Sequence, residues 1–185
     1  RVVALCAAAI VITSSAATVH ADVKVPNIFT DHMVLQQKQK NKVWGRADAG
    51  EAVTVTIDKQ EHKTTTGADG AWHVMLDPLQ VGGPYELTIK GKNEIKIVDV
   101  LVGEVWICSG QSNMQWSVNA SYDPDLEKLA AKYPKLRMVN VPQVGTQEAQ
   151  WNFNGKWQVC TPETVGNFSA VGYFFGRQLH QTLDV

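Results

Sequence analysis

The sequence carries only three cysteines in 185 residues, too few to build a small domain on disulfides. Neither sign of charge is in excess: 17 Lys and Arg face 18 Asp and Glu, a formal net charge of -1. That balance removes the general attraction of a basic chain for nucleic acid or an anionic membrane surface. There is no His, Cys, Asp and Glu cluster at metal-ligand spacing, no phosphate loop and no basic-aromatic stripe. Neither a metal nor an organic cofactor nor a nucleic-acid partner is therefore expected. No internal repeat or low-complexity linker occurs, and no apolar run is long enough to span a bilayer comfortably. Hydrophobic residues make up 44%, which excludes a wholly disordered chain. The length fits one medium domain or two small ones.

The chain opens on Arg1, and an initiating Met is expected upstream. Val2 to Ile12 is an uncharged apolar run of about the length of a signal-peptide core. Thr13-Ser14-Ser15 follows, and Val19-His20-Ala21 offers small side chains at the cleavage positions. Residues 1–21 thus read as an export signal, with the mature chain starting at Asp22 in a secreted or periplasmic location. The signal is the only membrane contact expected. A lipoprotein signal using Cys6 fits less well, because the apolar run continues past it. After cleavage Cys108 and Cys160 remain, and both a disulfide and two separate thiols stay open.

Two kinds of patterning follow. Over 22–98 the chain reads as β. Glu51 to Asp58 alternates Val53, Val55 and Ile57 with polar residues. Ala71 to Leu76 follows an Asp69-Gly70 turn, and Tyr85 to Lys90 follows Gly82-Gly83-Pro84. Ile95 to Val98 forms a further strand after Lys92-Asn93. Short alternating strands with frequent turns point to an antiparallel β-sandwich. From 99 to 185 the pattern changes. Val100 to Cys108 is a mostly apolar run suited to a strand covered on both faces. Pro124 to Lys132 reads as a helix with Leu126, Leu129 and Ala130 on one side, closed by Pro134. Lys135 to Val141 is another strand. Phe168 to Leu183 is a helix carrying Val171, Phe175 and Leu179 on one face, and Asp184-Val185 resembles the entry to a further strand. This order marks the opening of an α/β domain with a partly parallel sheet.

The candidate site is Ser109-Gly110-Gln111-Ser112-Asn113-Met114. A serine at a turn directly after a buried strand is presented at the carboxyl edge of a sheet, where α/β folds place their sites. If a helical turn follows, the Ser112 backbone N–H is placed as half of an oxyanion hole. A second reading stands beside it: Ser112 with Gln115 three residues on forms a capping box. Trp106, Trp116, Trp151 and Trp157 either line a sugar platform or pack in the core, with Trp116 best placed as a cleft wall. Asn119-Ala120-Ser121 and Asn167-Phe168-Ser169 fit glycosylation acceptors in a eukaryotic secretory route. His32, His73 and His180 read as structural or surface residues.

The longer string Asp99-Val-Leu-Val-Gly-Glu-Val-Trp-Ile-Cys-Ser-Gly-Gln-Ser-Asn-Met114 resembles the sialate O-acetylesterase family of SGNH (GDSL-like) hydrolases. Pro162 to Val165 and Phe168 to Arg177 continue the resemblance. Pro26 to Gln36 resembles the β-rich region that precedes the esterase domain in bacterial members. The resemblance implies a flavodoxin-like α/β SGNH domain, begun here and continued elsewhere. It also implies ester hydrolysis without a cofactor, on an acetylated carbohydrate such as sialic acid or a plant polysaccharide. Ser112 would be the nucleophile and a backbone oxyanion donor, with Gln111, Asn113 and Trp116 beside the substrate. Family members take their base from a downstream Asp-x-x-His pair, which does not occur in this sequence. Residues 1–185 alone are therefore expected to be almost inactive. The rival expectation is a non-catalytic carbohydrate-binding or adhesion module in which Ser112 only caps a helix.

Overall fold

The computed structural model describes residues 22–184; the expected export signal lies outside them. Strands β1 (Val34–Gln36), β2 (Asn41–Arg46), β3 (Ala52–Ile57), β4 (Gln60–Thr65), β5 (Ala71–Leu76), β6 (Gly82–Lys90) and β7 (Glu94–Gly103) come first. Five of them form a mixed sheet in the order β1-β7-β6-β3-β4, while β2 and β5 pair separately. Strand alternation turns Val53, Val55 and Ile57 of β3 and Trp72, Val74 and Leu76 of β5 inward. They meet Leu87, Ile89, Ile97, Val100 and Val102 in one apolar core. β4 is the polar segment Gln-Glu-His-Lys-Thr-Thr and pairs only with β3. Its charged side chains suit an edge strand, which must discourage pairing with other chains.

Three expectations change here. Pairing is not wholly antiparallel, because β1 runs parallel to β7. Gly82-Gly83-Pro84 belongs to β6 and is not a break before it. Gly83 has φ +130, and a Cβ on it would lie 2.7 Å from the Val100 carbonyl oxygen; only glycine lets the strand approach so closely. Ile95 to Val98 and the start of the Val100 to Cys108 run are one strand, β7. Asp99 sits inside it at φ 55, a left-handed conformation that Asp tolerates better than most residues. The strand stops at Gly103, and beyond it Ile107 is 94% exposed. The run is therefore not a strand covered on both faces throughout.

The second part contains α1 (Ser112–Gln115), α2 (Pro124–Ala130), β8 (Tyr133–Met138), β9 (Gln158–Cys160) and α3 (Ala170–Leu183). β8 and β9 pair antiparallel, while the parallel pairing joins residues 101–103 of β7 to β1. A second core gathers Val118, Ala131, Met138, Cys160, Val165, Ala170 and Tyr173. The helices bury other faces than their apolar stripes suggest. Leu126 and Leu129 of α2 are exposed, and α2 ends before Lys132, with Pro134 lying within β8. α3 buries Ala170, Gly172 and Tyr173, while Val171 and Phe175 stay exposed. Phe175 and Leu179 face a cavity of about 410 Å³, where Trp106 meets Phe175 edge-on at 5.2 Å. Asp184 is the left-handed cap of α3; the strand expected from Asp184-Val185 onward lies outside the described residues.

Cys108 and Cys160 are free thiols, the first exposed and the second buried. Burial pushes the Cys160 thiol up to about 11, opposed in part by the nearby Arg177 cation. Since the thiolate is the reactive form, iodoacetamide on native protein beginning at Asp22 should modify Cys108 alone. Modification of neither residue, restored by reductant, would show that the two pair.

Candidate active site

The Ser112 turn is held from one side. Segment 104–110 leaves β7 without regular secondary structure and delivers Gln111 to the N-cap position of α1, a single helical turn. Met114 and Gln115 both donate their backbone N–H to the Gln111 carbonyl, at 3.0 and 3.2 Å. The far end of the turn is fastened to the start of α3. Ala170 N–H donates to the Trp116 carbonyl at 2.8 Å, and Val118 N–H donates to the Phe168 carbonyl at 3.0 Å. Ser169 caps α3 by accepting from Gly172 N–H, and its hydroxyl also reaches the Met114 sulfur at 3.2 Å. The two motif blocks at 109–114 and 168–177 are thus neighbours in space.

Ser112 is exposed at the first position of α1. The cap position belongs to Gln111, and no side chain caps the helix. The capping box is absent: the Gln115 amide instead donates to Gln143 Oε1 at 2.9 Å. Of the two local readings of Ser112, the cap is the one these contacts remove. Gln111 and Asn113 are exposed beside it. Trp116, the extended residue that caps the C-terminal end of α1, follows Ser112 by four positions. Trp116 is 58% exposed, with its indole N–H bound to the Ala120 carbonyl. The outward part of the ring is therefore apolar and fixed.

The other tryptophans separate by role. Trp157 is buried in the first core and donates its indole N–H to the Ile28 carbonyl at 2.8 Å. Trp151 lies under the Arg46 guanidinium at 4.8 Å, and Trp106 borders the cavity against Phe175. Asn119 and Asn167, the glycosylation candidates, hydrogen-bond each other at 3.1 Å.

Among the described residues no histidine hydrogen-bonds Ser112. His32 Nδ1 lies 2.7 Å from Asp99 Oδ2, and the same oxygen accepts from Arg137 Nη2 at 2.8 Å. His180 packs edge-on to Tyr133 at 6.0 Å, and His73 is exposed on β5. The Asp99–Arg137 pair joins β7 to β8. The Arg137 side chain is 4% exposed. Burial pulls its pKa down, and the Asp99 charge and hydrogen bond pull it back up. Sequence patterning gave no sign of this pair, since the two residues lie 38 positions apart in different elements. Among the described residues no group of three or more His, Cys, Asp or Glu could hold a metal ion.

No protein-family model matches the chain. It is 36% identical over 175 residues to the sialate O-acetylesterase of Rattus norvegicus, covering 83% of this chain and 32% of that protein. The sialate O-acetylesterase of Homo sapiens is 33% identical over 173 residues, covering 82% of this chain and 33% of the relative. Among solved structures, a carbohydrate acetylesterase from Xanthomonas citri superposes with a TM-score of 0.86 at 35% identity. That match covers 89% of this chain and 38% of the other. The chain is a homologue of the sialate O-acetylesterases over most of its own length, and it spans about a third of theirs.

Proposed function

We propose that this chain is the serine-bearing part of a secreted or periplasmic carbohydrate O-acetylesterase. The observation that carries the reading is Ser112 itself. In a homologue of sialate O-acetylesterases, its side chain stands exposed at the start of a helical turn and is not used as a cap. In this reading Ser112 Oγ attacks the acetyl carbonyl while a base takes its proton. The developing oxyanion is met by the Ser112 backbone N–H. The tetrahedral intermediate collapses to an acetyl-enzyme, and the sugar hydroxyl leaves with the proton. Water then releases acetate. Gln111 and Asn113 flank the acetyl group, and the fixed face of Trp116 stacks on the pyranose ring. The base comes from residues beyond those described, as the family's Asp-x-x-His pair would supply it. Residues 22–98 and 99–185 serve as a β-sandwich domain and the start of the SGNH domain.

The test is acetate release by the complete gene product from O-acetylated sialic acid and from acetylated xylan, assayed side by side. Release from either supports the esterase and names its substrate. Binding to either carbohydrate without release would favour the non-catalytic module. For export, the secreted protein should begin at Asp22; a cytoplasmic product retaining Val2 to Ala21 would refute it.

A further inference from the structure

β8 and β9 are paired neighbours, yet residues 139–157 join them in a loop far longer than a hairpin needs. Long loops without regular structure inside a compact fold usually carry a function. This one is pinned on two sides, at Gln143 and at Trp151 to Phe153, and the stretch 144–150 between them is exposed. On one side Gln143 accepts from Gln115 of α1 at 2.9 Å, one turn from Ser112. On the other side the loop is fastened to the β-rich part. Asn27 N–H donates to Asn152 Oδ1 at 2.7 Å, and Asn27 Nδ2 donates to the Phe153 carbonyl at 2.8 Å. Arg46 covers the Trp151 ring at 4.8 Å. Trp157 closes the loop inside the first core. The two ends also touch: a Cβ on Gly155 would lie 2.7 Å from the Asn140 carbonyl oxygen. Such a closed surface loop, with its ends together and its tip free, is a common carrier of binding residues.

We propose that the β-rich part sets the wall of the Ser112 site through this loop, with Asn27 and Arg46 as positioning residues for an acetylated oligosaccharide. The inference rests on the esterase reading for its substrate, and on the contacts above for its mechanics. Neither residue touches the ester. Both hold the same side of the loop, at Trp151 to Phe153, and a loop held there as well as at Gln143 loses less conformational freedom when substrate orders it. A small acetyl ester engages the Ser112 turn and little else, whereas an oligosaccharide extends across the loop. The cost of losing an anchor should therefore appear in KM for the larger substrate.

Arg46 is exposed on β2, so Arg46→Ala leaves the core intact, and Arg46→Lys keeps a cation over Trp151. Two readouts on the complete gene product test the proposal. The first is chymotryptic cleavage at Trp151 and Phe153, mapped by mass. It should be about tenfold faster in Arg46→Ala and Asn27→Ala than in the native protein, because cleavage follows local opening. Arg46→Lys should restore most of the protection. The second is the kinetics on an acetylated xylo-oligosaccharide. KM should rise about tenfold in both Ala variants with kcat kept within about twofold, the pattern of lost binding without lost transition-state chemistry. Unchanged cleavage in both Ala variants overturns the anchoring. Faster cleavage with unchanged KM overturns the wall. If the native product cleaves no acetyl ester, the esterase reading fails and with it the substrate role of the loop. Faster cleavage of the variants would still establish the anchoring by itself.

Discussion

Ser112→Ala in the complete gene product should remove ester hydrolysis while leaving the thermal midpoint unchanged. The hydroxyl is the attacking group in the proposed reaction, and losing it should cost on the order of 10⁴-fold or more in kcat. A capping serine would behave in the opposite way. Its loss would cost about 1 kcal/mol of stability and hardly alter turnover per folded molecule. The cap residue here is Gln111, and no side chain caps α1, so there is no capping bond for the substitution to lose. Gln111→Ala is the control, because it keeps both the Ser112 hydroxyl and its backbone N–H. It should retain far more activity than Ser112→Ala. Equal losses would mean that the shape of the turn matters and that Ser112 has no special role.

Asp99→Asn should destabilise the fold by about 2 kcal/mol. Removing one partner of a buried ion pair typically costs about 3–5 kcal/mol, because the other charge is left uncompensated. The Arg137 side chain meets that condition at 4% exposure, but Asp99 is 33% exposed. Water reaching the Asp99 side lowers the expected cost. Asn keeps the size and one acceptor oxygen, so the loss reports the charge. Arg137 Nε is buried without a hydrogen-bond partner among the described residues, which leaves this guanidinium more dependent on Asp99. Urea unfolding measures the effect. Combining Asp99→Asn with Arg137→Met should recover much of the loss, since the stranded charge is then gone. A change below about 0.5 kcal/mol in the single variant would mean that solvent already compensates Arg137.

The elements legible in the sequence are those with one apolar face and one wet face. β3 and β5 fall where their alternation places them, because Val53, Val55 and Ile57, and Trp72, Val74 and Leu76, all point inward. β4 was not legible because an edge strand with polar residues on both faces has no alternation to read. β2 was hidden for a related reason: its inward positions are Asn41, Val43 and Gly45, only one of them a large apolar residue. β7 looked like two strands because Asp99 reads as a break, whereas here its carboxylate reaches across to Arg137. In α3 the periodicity was legible and the buried side was not. Small Ala170 and Gly172 admit close packing beside Tyr173, and the larger Val171 and Phe175 are left outward.

At the candidate site the motif located Ser112, and the fold added its surroundings. The contact between 109–114 and 168–177 joins two blocks that local patterning cannot connect. The loop anchor was illegible for the same reason. Asn27 and Asn152 lie 125 residues apart, and a single pair of amides leaves no periodic trace in either segment.

An activated Ser112 hydroxyl should react with an electrophile built to trap serine nucleophiles. The complete gene product is treated with a fluorophosphonate probe, digested, and the modified residue identified by mass spectrometry. The expected result is one adduct, on Ser112, that disappears when the protein is unfolded before labelling. An adduct on a different serine, or no adduct on folded protein that releases acetate, would contradict it.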